Sequence, residues 1–312
     1  MRRKTTWLLV LVALAALGLG CATPGAEMNQ RLDRLPQDVR QVVRDAVWAH
    51  GNPYNWTALQ SAVVQVQWWD YRHGARPLIN RKVYCLDLKA GRMRIDDLTD
   101  RTVALYDGAT WRVFARGQEM RLPATITEQT VGYLALFEYA AGEMRSFRTM
   151  FSLPFSLLAD GVELKSAGPV QAAGGANQWN VLEVRFDPNA TGFLRTDRLL
   201  VYFDPVRKAV DRVFVELSDA PFYAIPHWGE WSDYRRLQNG LVLAHRWDFR
   251  MTDEKGGADL GRRLSVVLDK VAFNQPFAWN LFTSAEARPP AIPDGPAEPK
   301  VKTLGRDVVG AK

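Results

Sequence analysis

From residue 59 onward, apolar side chains recur at every second position, and nothing else in this chain limits its fold as strongly. Val64, Val66 and Trp68 alternate with Gln65, Gln67 and Trp69. Further runs follow at Val83 to Leu88, Arg92 to Asp96 (Met93 and Ile95 on one side), Thr102 to Tyr106 and Trp111 to Ala115. A period of two sends successive side chains to opposite faces of a strand. The links, Ala90-Gly91 and Asp107-Gly108, are short and turn-like, the second a dipeptide favoured in tight hairpins. Together these features predict an antiparallel meander with one wet and one buried face. The pattern resumes at Trp179 to Phe186, Leu199 to Phe203, Ala209 to Leu217, Trp231 to Leu237, Leu241 to Phe249 and Leu264 to Phe273. Asp204-Pro205 and Asn239-Gly240 are turn signals between them.

Two segments break this period. Over Gln37 to Ala49, Val39, Val42, Val43, Ala46 and Val47 recur at three- and four-residue spacing, which predicts an amphipathic helix. Pro36 and Asp38 suit its start and Gly51 its stop. Residues 128–160 are unusually apolar and aromatic, and their spacing suggests helices broken by Gly142 and Pro154. Such a segment either fills a core or lines a cavity.

The first residues constrain location. Arg2, Arg3 and Lys4 precede an uncharged apolar run from Trp7 to Leu19, then Gly20, Cys21 and the loop-forming Ala22-Thr23-Pro24-Gly25. The run is too short to cross a hydrocarbon core of about 30 Å, so a cleaved signal is expected rather than a spanning helix. The order of features resembles a bacterial lipoprotein signal, which implies that Cys21 becomes a lipidated first residue. Gly18 stands where those signals usually carry an aliphatic residue, and secretion with cleavage near Gly20 or Ala22 is the rival reading. Ala22, rather than Asp, favours retention at the outer membrane, facing the periplasm. The formal net charge of +6 includes the three basic residues that leave with the signal, so +3 remains among interleaved acids. No dense Lys/Arg run survives, and nucleic acid is not an expected partner.

Local signatures of chemistry are sparse. With Cys21 lipidated, Cys85 is the one thiol left, in a strand-like stretch where a buried cysteine acts as a small hydrophobe. The four histidines lack metal-ligand spacing, so neither a metal nor a cofactor is expected. His227 and Glu230 form a closely spaced His/carboxylate pair. Asp96 and Asp97 are adjacent, hence on opposite strand faces. No nucleophile elbow or phosphate loop occurs. What stands out is aromatic surface: eleven tryptophans, with Trp68 beside Val64 and Val66, and Trp247 beside Leu243 and Phe249.

His50-Gly51, Trp56, Gly91-Arg-Met-Arg-Ile-Asp96, Asp107-Gly-Ala-Thr-Trp-Arg-Val-Phe114 and Val201-Tyr-Phe-Asp-Pro205 resemble the lipoprotein-localisation (Lol-type) carrier superfamily, in an exported lipoprotein branch, over about Leu35 to Phe282. The resemblance implies a mostly-β fold: a strongly curved antiparallel sheet forming an incomplete half β-barrel, covered by a few helices. It also implies a concave side that takes lipid or lipoprotein acyl chains. Extra length, a long tail and a lipid anchor favour a tethered acceptor or fixed binding module over a shuttle. The organisation expected is a signal over 1–20, a tether over 21–34, one lipid-binding-like domain over 35–284 and a disordered Pro/Ala-rich tail over 285–312. Val64, Val66, Trp68, Met93, Ile95, Phe151, Phe155, Leu243 and Trp247 are the candidate wall of a non-catalytic site for a lipid, acyl chain or other apolar ligand. The alternatives are a scaffold of an envelope complex with a packed core, and an envelope hydrolase using His227 and Glu230.

Overall fold

The computed structural model describes residues 26–71, 76–120, 128–171, 178–191, 193, 196–217, 227–251 and 262–293. The signal, Cys21, the Gly/Ala-rich loop at 172–176 and the tail beyond 293 lie outside the described residues. Thirteen antiparallel strands form one sheet, flanked among the described residues by five helices. The strands are β1 (Ser61–Asp70), β2 (Leu78–Asp87), β3 (Met93–Asp97), β4 (Thr102–Tyr106), β5 (Trp111–Ala115), β6 (Gln118–Glu119), β7 (Val162–Gln171), β8 (Gln178–Phe186), β9 (Arg198–Phe203), β10 (Val210–Glu216), β11 (His227–Arg236), β12 (Val242–Met251) and β13 (Arg262–Phe273). The helices are α1 (Ala26–Arg34), α2 (Gln37–Ala49), α3 (Pro53–Thr57), α4 (Glu128–Phe151) and α5 (Pro188–Thr191), with a 3-10 turn at Phe155–Leu158.

Spatial order is β6-β5-β4-β3-β2-β1-β13-β12-β11-β10-β9-β8-β7, so two meanders are joined at a β1–β13 seam. The sheet is curved and does not close into a barrel. Its two edges are unsuited to adding strands. β6 is two residues long, and β7 carries a register shift at Ser166/Gly168 beside Pro169. Short, bulged or Pro-bearing edges discourage edge-to-edge pairing.

The expected strands form within a few residues of the ends read from alternation. β7 escapes that reading because its residues are largely exposed and polar, leaving no apolar stripe. Glycine at 142 does not break α4, contrary to expectation. Ala140, Ala141, Glu143 and Met144 flank it, and the cost of about 1 kcal/mol for a helical glycine is outweighed by burial of that helix face. Pro154 does fall at a break, between the end of α4 at Phe151 and the 3-10 turn that starts at Phe155. The stretch expected as a polar tether contains α1, whose Leu32 is buried and whose Arg31 donates to the Leu158 carbonyl at 2.6 Å.

One cluster occupies the helix-covered concave face. It joins Val39, Val43, Ala46 and Val47 of α2 to the inward residues of most strands and to Met144, Phe147, Met150 and Phe151 of α4. The connection from α2 to α3 is fixed against the β11–β12 hairpin. The Val242 N–H donates to the His50 carbonyl at 3.0 Å, and Asn55 Nδ2 to the Gly51 carbonyl at 2.6 Å. Gly51 has φ +109°, and a Cβ there would lie 2.4 Å from the Gly240 carbonyl oxygen. Gly51→Ala is expected to cost at least about 2 kcal/mol from backbone strain and collision, read as a lowered urea midpoint with unchanged slope.

A second layer covers the opposite face. Val63, Val83 and Cys85 point there and meet Leu281 and Phe282, with Phe277, Ala287 and Ile292 packed around them. Residues 285–293, expected as the start of a disordered tail, thus take part in this strap. Arg94 fastens it: the guanidinium binds both Asp96 oxygens at 2.5 and 2.7 Å and donates to the carbonyls of Leu281, Ser284 and Ala285 at 3.1, 2.8 and 3.2 Å.

Candidate functional site: an ion pair and an aromatic column beneath one helix

Strand parity puts Lys82, Tyr84 and Leu86 of β2 on the concave face, beside Met93, Ile95 and Asp97 of β3. Across them lies α4, held by Glu143. The Lys82 ammonium donates to both Glu143 oxygens at 2.7 and 2.9 Å, and the Tyr84 hydroxyl donates to Glu143 Oε1. Lys82 also stands 3.6 Å from Asp97 and 5.3 Å from the centre of the Trp68 ring. Asp97 in turn accepts from Asn80 Nδ2 at 2.8 Å and from the Thr99 and Asp100 N–H groups at 3.0 and 2.9 Å. Lys82, Glu143 and Asp97 are only 6, 4 and 7 % exposed, and Tyr84 is wholly buried. Ion pairs this deep contribute little net stability, because desolvation offsets attraction, but they fix a geometry while both partners are present.

From Glu143, an aromatic column runs along the covering segment. Phe147 stacks on Tyr84 at 3.7 Å between centroids and lies 5.8 Å from Phe151. Trp56 of α3 lies 6.3 Å from Phe151 and stacks on Phe155 at 4.8 Å. Trp247 meets Phe147 at 5.7 Å and Trp231 at 5.8 Å. Under this column a cavity of about 10 Å³ remains, bounded by His50, Met150, Phe151, Tyr234 and Trp247 among others. That is room for about one water molecule. Among the described residues, α4 and the 3-10 turn pack closely against this side of the sheet, together with α2 and Trp56 of α3.

All nine candidate wall residues are buried in the one concave cluster. Val64, Val66 and Trp68 stand on β1, Met93 and Ile95 on β3, and Leu243 and Trp247 on β12. Phe151 and Phe155 belong to the covering segment, so they occupy the space that the other seven enclose. Sequence reading missed Lys82, Tyr84, Asp97 and Glu143. The available signal was a lysine sharing the strand face of Tyr84 and Leu86, and a glutamate beside Met144 within an apolar helix.

The other candidate groups serve structure. His50 is buried at the end of α2, its Nδ1 2.8 Å from the Ala46 carbonyl and its ring edge-on to Tyr234. His245 Nδ1 lies 3.0 Å from the Leu268 carbonyl. Burial depresses both imidazoles to a pKa of about 4, and Arg235 adds to the effect at His245. The His227–Glu230 pair does not assemble. His227 is buried with Gly229 and Trp231, whereas Glu230, three residues on, is half-exposed beside Arg212 at 3.7 Å. An odd spacing on a strand separates the two faces. The same parity sends Asp96 to Arg94 and Asp97 to Lys82. No group of three potential metal ligands occurs among the described residues, and none of their helices is long and apolar enough to cross a membrane.

Burial pushes the Cys85 thiol up to about 12. We expect it to resist disulfide-exchange reagents in the native protein and to react only on unfolding, checked by thiol titration of a Cys21→Ser chain with and without urea.

No family model matches the chain, and no curated protein matches it. Among solved structures it is similar to a domain of Vibrio parahaemolyticus described as outer membrane lipoprotein-sorting, at 9 % identity and TM-score 0.43, covering 82 % of this chain and 97 % of that one. It is similar to a LolA superfamily protein of Nitrosomonas europaea at 9 % identity and TM-score 0.46, covering 78 % and 97 %. A DUF1329 family protein of Desulfovibrio piger is similar at 10 % identity and TM-score 0.48, covering 81 % and 100 %.

Proposed function

We propose that this protein is a non-catalytic lipoprotein of the cell envelope, anchored through Cys21 at the outer membrane and facing the periplasm, which takes a lipid or acyl chain onto its concave face when α4 moves aside. The observation that supports this reading is the division of the concave cluster into two parts. Seven of the candidate wall residues sit on the sheet, and α4 with the 3-10 turn supplies Phe147, Phe151 and Phe155, which pack against them. That segment is held to β2 by the Lys82–Glu143 pair, a contact that stabilises little and can be exchanged. Displacing the rings would expose apolar surface worth roughly 25 cal/mol per Å² to any acyl chain that covered it again.

The test is native mass spectrometry of a Cys21→Ser chain recovered from the periplasm without detergent, joined to hydrogen exchange over α4. Acyl adducts at fixed stoichiometry, or uptake from phosphatidylethanolamine vesicles with lost protection across residues 140–158, support the proposal. A second reading is favoured by the small size of the remaining cavity, about 10 Å³. In that reading the packed interior is permanent and the protein is a scaffold of an envelope complex. A clean mass, no uptake and unchanged exchange would select it.

A further inference from the structure

The covering segment has an unusual distribution of polarity. Among its residues whose side chains are described, the buried acid Glu143 meets three donor contacts from Lys82 and Tyr84. Beyond it, Phe147 and Phe151 follow at four-residue spacing along the buried face, and Phe155 continues the apolar run. At a rise of about 1.5 Å per residue, Phe151 lies about 12 Å along the helix from Glu143. Over the stretch from Glu143 to Phe155, a carboxylate followed by buried aromatic surface is the profile of a long-chain carboxylic acid. Asp97, a further anion near Lys82 among the described residues, is already engaged by the Asn80 side chain and two backbone N–H groups. Glu143 is thus the acid that Lys82 and Tyr84 jointly hold.

We propose that Glu143 occupies the seat of a ligand's acid group, and that the ligand admitted when α4 moves is a single alkyl chain ending in a free carboxylate. This inference rests on the reading of the concave face as an apolar-ligand site. The exchange is like for like: one carboxylate leaves Lys82 and Tyr84 as another arrives, while Glu143 passes into water. The cation is then never buried without the counter-charge it had before. An alcohol or ester head restores a hydrogen bond but not the charge, so it competes poorly with Glu143.

The test compares binding of oleate and oleyl alcohol, by calorimetry, to the full chain carrying Cys21→Ser after removal of bound lipid. It is repeated with Glu143→Gln, and with Glu143→Gln plus Lys82→Met. Loss of the internal competitor is expected to raise oleate affinity about tenfold or more, with a similar preference for oleate over the alcohol. Adding Lys82→Met should erase that preference; if this double variant does not fold, the preference within Glu143→Gln decides. Equal binding of both probes by Glu143→Gln would overturn the acid seat and leave the apolar-ligand reading standing. Binding of neither probe by either folded chain would overturn both.

Discussion

Acidification from pH 6.5 to pH 5 is expected to lower the folding stability of this protein by roughly 3 kcal/mol, since each of two histidines approaches a slope of about 1.4 kcal/mol per pH unit below its unfolded-state pKa. His50 and His245 are buried and neutral, with pKa values near 4 in the fold against an ordinary value of 6.5. Between those limits the unfolded chain holds two more protons than the native one, so acid favours unfolding. Well above pH 6.5, from about pH 7.5, both states are neutral at these sites and the contribution is constant. Urea midpoints measured at pH 7.5, 6 and 5 would show a plateau and then a fall. A His245→Gln variant should have about half the slope. A midpoint flat down to pH 5 would mean that the two rings find water or partners in the native state. Asp87, Asp107 and Asp204, whose carboxyls are held low by hydrogen bonds from neighbouring backbone or arginine donors, add a further loss only at more acidic pH.

Replacing Arg94 should be comparably damaging. Its guanidinium is 1 % exposed and is bound by Asp96 and three strap carbonyls. Arg94→Met fills part of the volume but leaves Asp96 without its buried counter-ion and the carbonyls without donors. Removing one partner of such a pair costs about 3–5 kcal/mol. Arg94→Met combined with Asp96→Leu should recover much of that loss, because it removes the stranded charge. Thermal unfolding of both variants checks this. Limited proteolysis adds a spatial readout: cleavage in Phe277 to Ile292 should rise in the single variant before the sheet itself opens.

Much of this fold is visible locally. Val64, Val66 and Trp68 reveal both a strand and its inward face, because side-chain alternation is a property of consecutive residues. The α2 stripe is visible for the same reason. Long-range pairing is a different matter. Lys82 and Glu143 are separated by 61 positions, and each alone reads as an ordinary solvated charge. Arg94 shows by parity that it faces away from Met93 and Ile95, but its burial depends on a strap whose Pro-rich composition suggested disorder. Glycine at 142 illustrates the opposite failure, since a local cost of about 1 kcal/mol is overridden by packing that no short window contains. The burial and shared facing of Val64, Val66, Trp68, Met93, Ile95, Leu243 and Trp247 were recognisable, whereas the ionic contact between β2 and α4 was not.

The β1–β13 seam has a consequence for how the molecule comes into being. Ala62 pairs with Phe273, so the middle of the sheet is made by the chain's two most distant strands. At roughly 5–20 residues per second, a ribosome needs about ten to forty seconds to make the intervening chain. During that interval β1 can pair only with β2, and the concave cluster has half its walls. Closing so long a loop precedes the contacts that reward it, which makes high-contact-order sheets slow to form. Until its last strand is available, the nascent polypeptide lacks the surface on which a native core could nucleate across its two halves.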